Sequence, residues 1–201
     1  VGANSVMSVP AFAALLERIR ACTLCAEHLP HEPRPVVRAA ASARILIAGQ
    51  APGRRVHASG VPFDDPSGAR LRDWMGVTRE EFYDLSRIAF VPMGFCYPGT
   101  GAEGDLPPRP ECAPAWRAAL LARLRRVELT LVIGSYAHAY HLGARRSSVA
   151  HTVQSWRAHA PTLLPLPHPS PRNVLWLRRH PWFEAELVPV LRARVRDVLA
   201  G

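Results

Sequence analysis

Three groups of residues in this chain have side chains and spacings suited to chemistry. The first is Gly49-Gln50-Ala51-Pro52-Gly53, followed by Gly60-Val61-Pro62-Phe63 and then Asp64-Asp65-Pro66-Ser67-Gly68. Two glycines and a proline force a tight reversal, and with no Cβ in the way the backbone N–H groups can approach a ligand closely. The spacing and lysine of a Walker phosphate loop are absent, and the aromatic-containing stretch reads as the floor of a ligand pocket. The bland alternatives are a plain turn, a core phenylalanine, and aspartates that serve only as turn and helix N-cap residues. The second group is Pro167-His168-Pro169-Ser170-Pro171-Arg172-Asn173, where prolines on both sides hold an imidazole. His-Pro-Ser is also found in ordinary loops.

The third group is the four cysteines, Cys22, Cys25, Cys96 and Cys112. Thiolates are soft ligands, so four that converge suit an iron–sulfur cluster or a tetrahedral zinc. Zinc sites usually present two close pairs, and the wide separation of Cys96 from Cys112 favours the cluster over zinc. Four unrelated buried thiols remain the alternative.

These groups need elements to hold them. Arg44 to Ala48 is an apolar, partly β-branched run that ends at Gly49, the pattern of a central strand feeding a loop at its carboxyl end. Ile88 to Pro92 reads as a second strand ending in the loop of Met93, Gly94 and Cys96. Leu129 to Ile133 reads as a third, and Thr162 to Pro165 as a fourth that leads into His168. Between them lie helical patterns. Ser8 and Pro10 open a helix with a stripe of Phe12, Leu15, Leu16 and Ile19, which delivers Cys22 and Cys25. Ser67 is expected to cap a helix carrying Leu71, Trp74 and Met75, and Thr78 to Glu81 is a capping box. Trp116, Leu120 and Leu124 form a stripe after a long irregular loop from Gly99 to Pro110, Gly134-Ser135 opens a helix through about Leu142, and Thr152 is expected to cap a turn. The final helical stretch, 174 to 200, is broken at Pro181 and bent at Pro189. Strands alternating with helices give an α/β fold. The expectation is a single three-layer α/β/α domain over residues 8–201, with a central, mostly parallel four-stranded sheet, and residues 1–7 a leader or cloning remnant.

The chain carries 25 Lys and Arg against 16 Asp and Glu, 25 − 16 = +9, and so attracts polyanions, nucleic acid first among them. No stretch is long and apolar enough for a membrane helix and no signal peptide is visible, so a cytoplasmic protein is expected, as a monomer.

Gly49-Gln50-Ala51-Pro52-Gly53, Gly60-Val61-Pro62-Phe63 and His168-Pro169-Ser170, in this order, closely resemble the motifs of the uracil-DNA glycosylase superfamily. The likeness is greatest to its iron–sulfur branch, family 4, whose pattern is G-E-A-P-G, then G-x-P-F, then H-P-S. The resemblance implies a [4Fe-4S] cluster on Cys22, Cys25, Cys96 and Cys112, and removal of uracil from DNA by base flipping, leaving an abasic site. It implies that Phe63 stacks on the base with Ala51 beside it. His168 donates to the departing base, and Gln50 contacts the base or positions water.

The chain departs from one or another of the superfamily's patterns in three places. Gln50 replaces the glutamate, Ala51 stands where another branch has its water-activating aspartate, and Val91-Pro92-Met93-Gly94 replaces a strand end bearing a base-reading asparagine. Backbone groups at Met93 and Gly94 are expected to substitute for that asparagine. Phe63-Asp64-Asp65-Pro66-Ser67-Gly68 is similar to an aspartate-containing loop of family 5, which assigns the water to Asp65, with Asp64 and then His57 as successors. Ser170, Pro171 and Arg172 would grip phosphate or wedge the flipped gap, and Arg54, Arg55, Arg145, Arg146, Arg178 and Arg179 would neutralise phosphates. Two rival readings use the same fold, a uracil-DNA binder with little or no turnover and an electron-transfer iron–sulfur protein.

Overall fold

The computed structural model describes residues 9–102, 104–145 and 147–201. Ser8, residues 1–7 and Arg146 lie outside the described residues. Helix α1 (Val9–Arg20) buries Phe12, Leu15, Leu16 and Ile19, the stripe expected from their spacing. Strand β1 (Ile45–Ala48) follows, then the short helix α2 (Arg54–Ser59), α3 (Pro66–Met75) and α4 (Arg79–Tyr83). The cap of α3 is Asp65, not Ser67. Pro66 fits the first helical position, where no N–H is needed, and the Asp65 carboxylate accepts the Gly68 N–H at 2.9 Å. Thr78 and Glu81 form the reciprocal capping box at α4 as expected.

Strand β2 (Ile88–Phe90) comes next. The stretch read as an irregular loop contains a small antiparallel hairpin of β3 (Thr100–Gly101) and β4 (Gly104–Asp105). Helix α5 (Cys112–Leu121) begins at a cysteine, and Leu124 is buried just beyond its end. Strand β5 (Leu129–Ile133) leads through Gly134 into α6 (Ser135–Leu142). In α7 (Val149–Gln154) the cap is Ser148, which accepts the His151 N–H. Thr152 sits one turn inside and donates its hydroxyl back to the Ser148 carbonyl at 3.1 Å. Strand β6 (Leu163–Leu166) and α8 (Val174–Arg179) complete the site-bearing part. A π-helical turn (Phe183–Leu187) then runs into α9 (Val188–Ala200), so the helix widens just ahead of Pro189, which has no N–H to offer the preceding turn.

The sheet order is β2-β1-β5-β6 and every pairing is parallel. Because successive strand residues face opposite sides, Ile45, Ile47, Ile88, Phe90, Leu129 and Leu131 build one core. It is covered by Leu71, Trp74 and Met75 of α3 and by Leu191, Val195 and Val198 of α9. Leu46, Ala89 and Val91 face the other way, onto α1 and Leu120 of α5. Full burial of each large apolar side chain stabilises by about 2 kcal/mol. All four strands are therefore covered on both faces, and the loops at their carboxyl ends are left to carry chemistry.

Candidate active site

Those loops enclose a cavity of about 490 Å³ at the carboxyl ends of β1 and β6. Ile47 and Phe90 reach it from the sheet. Gly49, Gln50, Ala51, Pro52 and Gly53 line it from the first loop, and His168, Ser170 and Arg172 from the loop after β6. The Phe63 ring and the His168 imidazole, more than a hundred residues apart in sequence, thus border one space.

Phe63 is held in an unusual way. Its φ of 55° lies in the left-handed region that side chains other than glycine avoid, so surrounding contacts must over-determine it. A methyl group at residue 68 would sit 1.8 Å from the Phe63 carbonyl oxygen, so Gly68 is what lets the loop lie on the first turn of α3. The ring meets Phe82 edge-on at 6.2 Å and Phe90 at 6.3 Å, and its tip lies over Gly49. The ring is therefore anchored in the core and also lines the cavity.

The second loop is tied from behind. The Asn173 amide donates to the His168 carbonyl at 2.7 Å, and Arg70 of α3 donates to the Ser170 carbonyl at 2.9 Å. Burial pushes the His168 pKa below its ordinary value, and the carboxylates of Asp65 and Asp105 only partly oppose that. The ring is accordingly a neutral imidazole at neutral pH, able to donate one N–H without carrying charge.

Of the three residues weighed for the water, Asp65 alone lines the cavity. Asp64 turns away into an ion pair with Arg79 at 3.2 Å. His57 lies against His31, 3.9 Å between ring centroids with the planes tilted by 38°, and near Tyr97. Arg54 and Arg55, at the exposed start of α2, border the cavity with Arg172 and give its mouth positive charge. Pro171 is exposed beside them and opens a 3₁₀ turn whose cap is Ser170. Arg145, Arg178 and Arg179 are exposed elsewhere and do not line the cavity.

Met93 and Gly94 are not brought to it either. The Met93 N–H donates to the Gly49 carbonyl at 2.8 Å and the Gly94 N–H to the Gln50 carbonyl at 2.9 Å, so both amides are spent in bracing the first loop. The Met93 side chain is buried against Ala48, Val132 and Ala137. From that segment Pro92 reaches the cavity instead, and so, from the hairpin, do Thr100 and Asp105, inside the stretch expected to be an irregular loop.

Behind the same segment, Cys22, Cys25, Cys96 and Cys112 line a second, small cavity, along with Gly94, Phe95, Arg109 and Trp116. The Phe95 N–H and the Trp116 indole N–H each point at a sulfur, Cys112 and Cys22 respectively, at 3.3 Å. Burial pushes the Cys96 thiol up to about 11 and the Cys112 thiol up to about 12, with the neighbouring cysteines adding to both shifts. Among the described residues no three His, Cys, Asp or Glu side chains stand in a ready-made array for one metal ion. The four sulfurs nonetheless surround one space.

Arg117 of α5 is fully buried, donating to the Val91 and Pro92 carbonyls at 2.7 Å each and contacting His141 Nε2 at 2.7 Å. Its guanidinium lies 4.8 Å from the Tyr140 ring centroid. No described helix is long and apolar enough to cross a membrane. The family model described as the uracil DNA glycosylase superfamily matches residues 37–192, a span that holds both loops, the hairpin, Cys96 and Cys112.

Proposed function

The chain belongs to the uracil DNA glycosylase superfamily, and from that premise we propose that it hydrolyses the N-glycosidic bond of deoxyuridine in DNA, releasing uracil and leaving an abasic site. The observation that carries this reading is the shared cavity of Phe63 and His168, open at a rim of arginines. The target bond is inaccessible in a stacked duplex, so the nucleotide is flipped out, and Arg54, Arg55 and Arg172 hold the flanking phosphates while Ser170 and Pro171 support the gap.

Breaking the bond leaves negative charge on the base and positive charge on the sugar, and the residues answer each in turn. The Phe63 ring offers a stacking face to the pyrimidine. His168, neutral and braced by Asn173, donates its N–H to the uracil oxygen where charge builds. Gln50, whose amide both donates and accepts, matches the mixed donor and acceptor edge of uracil in the role expected of the absent asparagine. Asp65 is the anion that offsets the sugar cation. It stands at the start of α3, where unpaired helical N–H groups favour negative charge.

We read the cysteines as ligands of a [4Fe-4S] cluster, in keeping with the resemblance to the iron–sulfur branch. The donor set fits: four thiols around one space, with N–H groups directed at two of them. When bound, the cluster supplies a structural cross-link, and hydrolysis asks no electron of it. The decisive experiment is incubation of the full chain with single- and double-stranded oligonucleotides carrying one uracil, followed by alkali. Strand scission at the uracil is expected, and uncut oligonucleotides would refute the proposal.

A further inference from the structure

Two carboxylates face the cavity, Asp65 from the first loop and Asp105 from the β3–β4 hairpin. The hairpin bridges the two loops. A methyl group at residue 53 would sit 3.3 Å from Asp105 Oδ2, and one at residue 104 would sit 3.0 Å from the Arg172 guanidinium. The Asp105 carboxylate therefore hangs over the Gly49 to Gly53 turn, with the hairpin's other end against the loop that carries His168. Its Oδ1 accepts the Thr100 hydroxyl at 3.3 Å, and that hydroxyl is in turn bonded to the Tyr97 phenol, so the carboxylate is oriented from one side only.

The environments of the two acids differ in a way that separates their tasks. Asp65 Oδ1 is committed to the Gly68 N–H as the cap of a helix start. Among the described residues the Asp105 carboxylate has no ion pair, and the one hydrogen bond it accepts is from the Thr100 hydroxyl, to Oδ1. Two carboxylates with different surroundings in one site are the usual means of dividing electrostatic work from proton transfer.

We propose that Asp105 is the catalytic proton acceptor for the attacking water, while Asp65 stays a fixed anion beside the sugar. The proposal rests on the glycosylase reading above. In the step it describes, the C1′–N1 bond breaks with its electron pair leaving on the base, whose oxygen is held by the His168 N–H. The water oxygen forms the new bond to C1′, and its proton passes to Asp105 Oδ2. That proton is then given up to solvent as the base anion takes one, so that one water is consumed for each base released.

The test is single-turnover cleavage of a uracil-containing single strand by the full chain. Asp105→Ala is expected to slow cleavage by at least about a hundredfold, the scale of a lost general base, with melting temperature and DNA affinity close to wild type. Added formate, a carboxylate small enough to occupy the vacated space, is expected to restore the rate in proportion to its concentration. Asp65→Ala should also be slow, but formate should not rescue it and its melting temperature should fall. Asp105→Ala cleaving within about threefold of wild type, against the far larger loss of a missing base, would overturn the assignment. So would a loss that formate leaves unchanged. Wild-type protein inert toward every uracil oligonucleotide would instead remove the glycosylase reading itself, and this inference with it.

Discussion

The two cavities stand back to back on one short segment and are built from opposite materials. Pro92 faces the larger one, and Gly94, Phe95 and Cys96 face the smaller, while the Met93 and Gly94 amides tie the segment to the Gly49 and Gln50 carbonyls. The larger is lined with carboxylates, an imidazole and arginines at a mouth that solvent reaches. The smaller is lined with thiols, prolines and a tryptophan. The pairing teaches that, on the proposed reading, the cysteine side positions the substrate side rather than taking part in it, because the strand-end segment between them braces the first loop. Breaking either cavity alone should therefore give a different signature.

The largest effect is expected on the substrate side. His168→Ala removes the donor at the departing base, and single-turnover cleavage should fall by about 10²–10³-fold, the range for loss of one such donor. Its iron content and melting temperature should match wild type, because the loop is held by Asn173 and Arg70 through backbone carbonyls and not through the imidazole. Loss of iron in this variant would mean that the two cavities are not separable in the way described.

On the cysteine side, the purified chain should be brown and hold about four irons, the content of a cluster on four thiolates. One equivalent of zinc with no iron would overturn that ligand assignment. Removing the iron should lower the melting temperature by about 10 °C, since about 3 kcal/mol is a modest share of a structural metal site's binding energy and a chain this size moves a few degrees per kcal/mol. The high thiol pKa values of Cys96 and Cys112 mean that loading must displace protons, so reconstitution should be faster and tighter at higher pH.

Much of this arrangement was legible in the sequence, and the exceptions have physical causes. Strands β1 and β5 announce themselves as apolar runs closed by glycine, and Thr78 with Glu81 specifies its helix start without help from tertiary structure. The joint position of Phe63 and His168 was implied by the resemblance of their two motifs, and both loops follow strands of one sheet. Asp105 did not, because β3 and β4 are two residues each, and so short a hairpin owes its place to neighbours such as Pro30 and Arg172 rather than to local pattern. The expectation for Met93 and Gly94 failed for a similar reason. Which backbone amides remain free is decided by pairing across the chain, and a sequence does not display it. Arg117 was equally hidden, since an arginine on an amphipathic helix ordinarily points to water and here points at two carbonyls and a histidine.

That buried arginine supplies a third measurement, on the carbonyls of Val91 and Pro92 that it holds. Burial and the Arg117 charge hold the His141 pKa down to about 4 in the folded chain, against 6.5 for a free side chain. Between those values the unfolded chain binds a proton that the folded chain refuses, so stability is full above about pH 6.5 and declines as pH falls toward 4. The loss should reach at most about 3 kcal/mol, at 1.36 kcal/mol per pKa unit. His141→Gln should flatten this part of the pH–stability curve as followed by urea denaturation, and an unchanged slope would show that His141 is not the group responsible.

The smallest effect separates the two jobs of Asp65. Asparagine caps a helix about as well as aspartate, whereas alanine does not cap at all, so Asp65→Asn keeps the bond to the Gly68 N–H and discards only the charge. Asp65→Ala should be less stable than Asp65→Asn by about 1 kcal/mol, the usual worth of an N-cap. Both variants should share the same reduced cleavage rate, because the sugar cation responds to charge and not to the cap. If Asp65→Asn were as fast as wild type while Asp65→Ala were slow, the residue would act only by holding Phe63 and the start of α3 in place. The anion facing the sugar would then have to come from the hairpin alone.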